Sequence, residues 1–294
     1  RDFLLNGDNA SAQELLRRQF VAKGAGSGFG NGANVPFGCY QTAGALAVDY
    51  DYKDSMADYS RILNLEEAKS TVSYLVGDNR ITQEAFCDFA DDVIRIHWTS
   101  SIPTGLNFAL SLNRKEHVNT IQYRHSILSL MGTLPNGDKQ GMTYGMALQV
   151  VDCDGTINYT DGKIHISNAS HCSITLAIRT NYNYNSGGLL DVRTVSKSLR
   201  KDLKIASRKE FGRAFQYSAD IYRKYFDACR LHLYSEVDNH HNDLTTPKRL
   251  ERYAAGASDP DLPVLYFNFG RYLMICSSRS GLLPANLQWL WAEE

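Results

Sequence analysis

Two neighbouring stretches near the C-terminal end hold the residue types with the most chemical promise. Gly270-Arg271-Tyr272-Leu273-Met274-Ile275-Cys276-Ser277-Ser278-Arg279 is followed by Pro284-Ala285-Asn286-Leu287-Gln288-Trp289-Leu290-Trp291. The first reads as a helix ending near two serines and an arginine, and the second as a loop offering two carboxamides and two indoles. Planar amide and guanidinium groups match sugar hydroxyls, and aromatic faces cover sugar C–H surfaces. The chemistry on offer is carbohydrate recognition. Tryptophan is also often highly buried, so on type alone Trp289 and Trp291 read at least as readily as core aromatics.

Other chemically suggestive groups have plainer readings. Gly28-Phe29-Gly30-Asn31-Gly32-Ala33 loosely resembles a dinucleotide fingerprint, but Asn34, Val35 and Pro36 follow where a helix is required, and no Lys-Ser or Lys-Thr makes a phosphate loop. It reads as a surface loop. Glycoside hydrolysis needs two positioned carboxyl groups, or one and another water activator. Asp91-Asp92 and Glu293-Glu294 do not supply them, because neighbours on a strand point to opposite faces. Asp91-Asp92 marks a turn or strand start, and Asp152 and Asp154, flanking Cys153, mark a hairpin rather than a cation site. His240-His241-Asn242-Asp243 has a metal-like composition, yet consecutive histidines cannot easily bind one ion. His97, His117, His125, His165 and His171 have no Ser or Cys partner identifiable by spacing. No catalytic residue, metal ligand or cofactor site is assigned.

The elements that must position the C-terminal stretches come in two kinds. Ser11-Ala12-Gln13-Glu14 before Leu15, Leu16 and Phe20 predicts a capped helix to about Lys23. From Cys39 to about Asn183 the apolar period is two, as in Leu106, Phe108, Leu110 and Leu112, or Tyr144, Met146, Leu148 and Val150. Val72, Tyr74, Val76 and then Ile94, Ile96, Trp98 and Ile174, Leu176, Ile178 repeat it. Asp154-Gly155 and Asp161-Gly162 read as hairpin turns whose glycines take positive φ. Many short antiparallel strands predict a β-sandwich. Near Ser186-Gly187-Gly188 the period changes, and after Asn185 no hairpin signal remains. Phe215, Ile221, Tyr222, Tyr225, Phe226, Cys229 and Leu233 recur at helical spacing, Thr246 before Pro247 reads as an N-cap, and Ser258 to Asp261 opens a helix through Cys276.

Composition excludes several classes of function. The 294 residues carry 31 Lys+Arg against 32 Asp+Glu, a net charge of -1, which argues against nucleic acid as a partner. No apolar run is long enough to span a bilayer. Six cysteines at positions 39, 87, 153, 172, 229 and 276 form no C-x-x-C pair, so a zinc site is not indicated. Residue 1 is not methionine, so the true N-terminus is expected to be missing or processed. The triplets at Asn9, Asn158 and Asn168 fit the glycosylation rule and are compatible with export.

Tyr266 through Arg279 and Pro284 through Trp291 resemble the entry to the catalytic domain of glycoside hydrolase family 95, whose loop reads much like PANLQGLW. Val35-Pro36-Phe37-Gly38-Cys39-Tyr40-Gln41 resembles a strand entry of the same family, and Tyr59-Ser60-Arg61-Ile62-Leu63-Asn64-Leu65 with Ala68, Thr71 and Val72 resembles another of its stretches. The resemblance implies a large N-terminal β-sandwich, a helical linker and an (α/α)6 barrel. It implies a sandwich domain over 1–187, a linker over 188–245 and the first helices of the barrel over 246–294. It also implies inverting exo-hydrolysis of terminal α-linked L-fucose or L-galactose, with fucosylated or L-galactosylated oligosaccharide as substrate, the remainder of the polypeptide as partner, no cofactor, and a secreted or periplasmic location. The family's catalytic Glu, Asn and Asp have no counterpart here, so the chain alone is expected to be inactive. Arg279, Asn286, Gln288 and Trp291 are left as candidate substrate-binding residues. Trp289 departs from the family's usual glycine, and a bulky indole there is expected to reshape the rim of the sugar pocket. Two competing readings are a non-catalytic carbohydrate-binding sandwich and a related (α/α)6 enzyme such as a disaccharide phosphorylase.

Overall fold

The computed structural model describes residues 2–19, 42–135, 141–183, 185–233 and 244–278. Two helices open the chain, α1 (Asp2–Leu5) and α2 (Asn9–Gln19). The cap of α2 is Asp8, whose Oδ1 accepts the Ser11 N–H at 3.0 Å, and not Ser11 as its sequence context suggested. A carboxylate three residues before a free N–H satisfies it directly, and Glu14 pairs instead with Arg18 at 2.8 Å. The predicted continuation to about Lys23 lies outside the described residues.

Twelve strands then build two antiparallel sheets: β1 (Ala45–Tyr50), β2 (Met56–Asn64), β3 (Lys69–Val76), β4 (Asn79–Asp88), β5 (Val93–Ser100), β6 (Leu106–Asn113), β7 (Val118–Arg124), β8 (Ile127–Thr133), β9 (Thr143–Cys153), β10 (Thr156–Thr160), β11 (Lys163–Ala169) and β12 (His171–Thr180). The larger sheet has eight strands in the order β2-β3-β4-β5-β12-β9-β8-β7, and the smaller has four, β1-β6-β11-β10. The period of two puts Leu106, Phe108, Leu110 and Leu112 of the smaller sheet in one core with Trp98, Met146, Leu148 and Ile174 of the larger. Trp98 is fully buried, and its Nε1–H is shared between Tyr50 Oη and Gln83 Oε1, each at 3.0 Å. That satisfies the one polar atom of the indole. The predicted sandwich is therefore the observed one.

The two predicted glycine turns differ in kind. Asp161 and Gly162, at φ 51 and 77, form the expected tight turn between β10 and β11. Gly155 lies at a corner between the sheets, not in a hairpin, since β9 belongs to the larger sheet and β10 to the smaller. Its φ is not positive. Glycine is needed for space: a Cβ there would stand 2.5 Å from the Ser167 carbonyl oxygen and 2.7 Å from Ala169 Cβ. Contrary to the sequence reading, pairing does not stop at Asn185. A short hairpin joins β13 (Tyr182–Asn183) to β14 (Gly188–Leu189), and Gly187 turns it at φ 64.

Helices follow: α3 (Arg193–Ala206), α4 (Phe211–Phe226), α5 (Thr246–Ala254) and α6 (Asp261–Ser277). Val195, Leu199, Leu203 and Ala206 form one stripe of α3, buried on the outer face of the larger sheet against Val93, Ala147 and Ala177. The helical period predicted through Cys229 and Leu233 stops at Phe226, where Asp227 caps α4. For α5 the N-cap is Thr245, so Thr246 and Pro247 both lie in the first turn, where proline's missing N–H costs nothing. The start of α6 is as predicted. Asp259 Oδ1 accepts the Leu262 N–H at 3.1 Å, while both Asp259 oxygens hold Arg249 of α5, each at 2.8 Å.

Candidate functional site

The elements leading into the C-terminal stretch are anchored at the turn between β4 and β5. Asp88 Oδ1 accepts the N–H groups of Ala90 (2.9 Å) and Asp91 (3.2 Å), and its Oδ2 accepts Arg95 Nε at 2.8 Å. Arg95 also donates to Asp91 at 2.9 Å and to the Ala206 carbonyl oxygen, at the end of α3, at 3.1 Å. Lys209 reaches Asp91 at 2.6 Å, and Arg179 binds both Asp92 and Asp202 of α3. Asp91 and Asp92 do mark a turn, as expected, and Asp92 adopts φ 55. Their carboxylates also fasten helices to the sheet, which spacing alone did not show. These acids are committed to guanidinium and ammonium partners.

From this turn the contacts pass to α4 and α6. Ser218 Oγ accepts the Phe89 N–H at 3.0 Å and donates to the Cys87 carbonyl oxygen at 3.3 Å. Tyr222 Oη donates to the Leu65 carbonyl oxygen at 2.7 Å. Burial pushes the Tyr222 hydroxyl well above its ordinary range, so it stays a donor throughout the physiological range. Arg271 of α6 donates to the carbonyl oxygens of Tyr225 (3.1 Å) and Phe226 (2.6 Å), and its guanidinium lies 4.8 Å from the Phe226 ring centre. A cation thus caps the carbonyl end of α4, where the helix dipole favours it. Tyr222, Phe226 and Ile275 form a small core, packed by Leu65, Ala68, Phe89 and Tyr272.

Between α6 and the end of the larger sheet's inner face lies a cleft of about 430 Å³, walled by Leu63, Ile94, Leu176 and Ile178 and by Tyr272 and Cys276 of α6. Its lining is mostly apolar and its rim carboxylates, Asp88 and Asp92, are held by arginines. Among the described residues this is a packing surface with no convergent set of sugar-binding donors. The outer side of α6 exposes Tyr266, Phe267 and Phe269.

The histidines have partners that spacing does not identify. Register pairs His97 of β5 with Ser173 of β12, and His97 Nδ1 lies 2.7 Å from Ser173 Oγ. The partner is 76 residues away, beyond any reading by spacing. Ser173 is buried and Phe211 of α4 stacks on His97 with ring centres 4.9 Å apart. No substrate reaches this hydroxyl, so the pair is interior structure. His171 stands 3.3 Å from Asp152 and 3.5 Å from Asp154. The Asp154 carboxylate accepts the Ser170 N–H at 2.9 Å and the His171 N–H at 3.1 Å, which fastens the return corner between the sheets. His165 Nε2 is buried without a partner. Among the described residues no group of His, Cys, Asp and Glu could hold a metal ion, and no helix is long and apolar enough to cross a membrane.

Arg279, Asn286, Gln288 and Trp291 lie outside the described residues, as do Trp289, Glu293-Glu294, His240-His241 and the glycine loop. The structure follows the candidate stretch as far as Ser278.

A four-on-eight antiparallel sandwich, tied through α3 and α4 to an aromatic-rich α6, defines the class by architecture: an antiparallel β-sandwich followed by helices. Residues 1–185 match the family described as "Glycosyl hydrolase family 65, N-terminal domain", and residues 211–294 match "Glycosyl hydrolase family 95 catalytic domain". The chain belongs to the proteins that carry a glycoside hydrolase N-terminal domain of the family 65 type, and its C-terminal part is similar to the family 95 catalytic domain. It is 28% identical to "Alpha-L-fucosidase 2" of Arabidopsis thaliana over 87% of this chain and 34% of that protein. It is 28% identical to "Probable alpha-fucosidase A" of Aspergillus niger over 98% of this chain and 37% of that protein. The protein of the same name from Aspergillus oryzae is 24% identical over 97% of this chain and 41% of its own length. The chain thus spans between a third and two fifths of the length of these relatives.

Proposed function

We propose that this chain is part of an enzyme that removes terminal α-linked L-fucose, or L-galactose, from oligosaccharides with inversion of configuration. The observation that carries the reading is the family 95 catalytic match over 211–294, which takes in α4, α6 and the amide and indole stretch beyond. The fucosidase names of the relatives supply the sugar. In this reading α6 is the opening helix of an (α/α)6 barrel, and its exposed Tyr266, Phe267 and Phe269 pack against later helices, since an apolar helix face needs partners to bury it. Arg279, Asn286, Gln288 and Trp291 are the candidate substrate-binding residues of this reading, and the acid and the water activator come from the remainder of the polypeptide. Trp289, a bulky indole where the family usually has glycine, reshapes the rim of the sugar pocket in this reading or marks a different substrate. The protein acts outside the cytoplasm on external glycans.

The test is to express the complete polypeptide and supply 2′-fucosyllactose and p-nitrophenyl α-L-galactoside, following the released sugar by NMR. Release of the β-anomer of L-fucose or L-galactose supports the reading and selects the substrate. No release, together with sugar binding by residues 1–294, would instead make the sandwich a binding module.

A further inference from the structure

The last residue of β9 and the second residue of β12 are both cysteines, and the ladder sets Cys153 directly opposite Cys172. Opposed residues of an antiparallel pair have Cα atoms about 4.5 or about 5.5 Å apart, and both spacings fall within the range of about 4.4–6.8 Å seen in disulfides. The two side chains share the inner face of the larger sheet: Cys172 is in the main core, and Cys153 packs against that core at its edge. Both are free thiols and they are in hydrogen-bonding contact. Cys153 is half-buried and Cys172 fully so.

We propose that Cys153 and Cys172 are a disulfide-forming pair that closes under a mild oxidant such as glutathione disulfide. Cys153 is the attacking sulfur. It is the more accessible, and its contact with Cys172 and the Gly155 N–H bring its thiol down to about 7, against the burial that raises it. Cys172 goes the other way, raised by the contact with Cys153 and by burial. The Cys153 thiolate attacks one sulfur of glutathione disulfide. The S–S bond breaks, one glutathione thiolate leaves, and a mixed disulfide remains on Cys153. Cys172 then attacks the Cys153 sulfur, the second glutathione leaves, and the Cys172 proton passes to it through solvent. Two cysteine thiols are oxidised and one glutathione disulfide is reduced to two glutathione molecules. The new bond closes a loop holding the hairpin of β10 and β11, so it pins the corner at which the chain leaves the larger sheet after β9 and the one at which it returns at β12.

The test uses the 294-residue chain in a glutathione redox buffer, quenched by alkylation under denaturing conditions and mapped by tryptic mass spectrometry without reductant. The expected result is one peptide pair joined through Cys153 and Cys172, with a higher melting temperature than the reduced chain. Cys153→Ser should give no link and one melting temperature in both buffers. Recovery of both cysteines as alkylated thiols overturns the proposal, as does a glutathione adduct that stops at Cys153. So does pairing of either sulfur with Cys39, Cys87, Cys229 or Cys276.

Discussion

Arg95 Nε stands 2.8 Å from Asp88 Oδ2, and only 2% and 1% of these side chains are exposed. Asp91 takes a second guanidinium nitrogen and the Ala206 carbonyl oxygen takes the third. Removing one partner of such a buried pair leaves the other charge without compensation, at a cost of about 3–5 kcal/mol. Arg95→Met should therefore lower the free energy of unfolding by that order in a urea titration. A loss below about 1 kcal/mol would mean the pair is not the anchor described.

The guanidinium of Arg271 at the end of α4 makes a more local prediction. Arg271→Ala removes two charge-assisted bonds from a partly exposed site, and about 1–2 kcal/mol is the expected loss. Amide exchange should speed up in the last turn of α4 and in α6 but not in β12. Uniform acceleration in all three would count against a local cap.

Gly155 and Gly162 separate two reasons for glycine. Gly155→Ala pushes a methyl to 2.5 Å from a backbone oxygen, and overpacking of this kind costs about 1–3 kcal/mol. Gly162→Ala meets nothing within 4 Å and is strained only by φ 77, at about 1 kcal/mol. The melting temperature of the first variant should fall further than that of the second, and the reverse order would remove the steric account of the corner.

His97 gives a pH dependence. Burial is the largest cause lowering its pKa below 6.5, partly opposed by the Glu84 carboxylate. The unfolded chain therefore takes up the proton first as pH falls. Stability from this group is complete above the ordinary histidine value of 6.5 and declines as pH drops through it. Urea midpoints measured between pH 8 and pH 5, about the span over which an ordinary histidine titrates, should decline for the parent chain and decline less for His97→Gln. Equal slopes would sink the assignment.

Much of this fold was legible from the alternation of apolar residues, because one buried face per strand is all that a sandwich requires. Leu106 to Leu112 and Tyr144 to Leu148 announced themselves in this way. Strand order was not legible. Nothing local tells β12 to lie between β5 and β9, so the His97–Ser173 and Cys153–Cys172 contacts were invisible beforehand. The docking turn was half legible: Asp91-Asp92 signalled a turn, but its ion pairs depend on Arg179 and Lys209, which are close only after folding. The stripe Val195, Leu199, Leu203, Ala206 was a signal that a search of the linker at helical spacing would have found. The ends of α2 and α5 were misplaced because two eligible cap residues stood within three positions of each other, and backbone geometry chose between them. For the candidate sugar site, residue type and family likeness remain the whole of the argument.

The position of β12 in the larger sheet also sets an order of events. As the chain emerges from the ribosome, β2 to β5 can zip together as neighbours, and so can β7 to β9, because each pairs with the next strand along the chain. These two halves cannot meet until β12 arrives to bridge them. Until residue 180 has been made, β5 and β9 each offer an unpaired backbone edge to any extended chain nearby. Such non-local closure is slow. The nascent protein is thus most exposed to aggregation in the interval between synthesis of β9 and of β12, and the α3 stripe, which covers Val93 of β5, Ala147 of β9 and Ala177 of β12 together, docks only once that interval has ended.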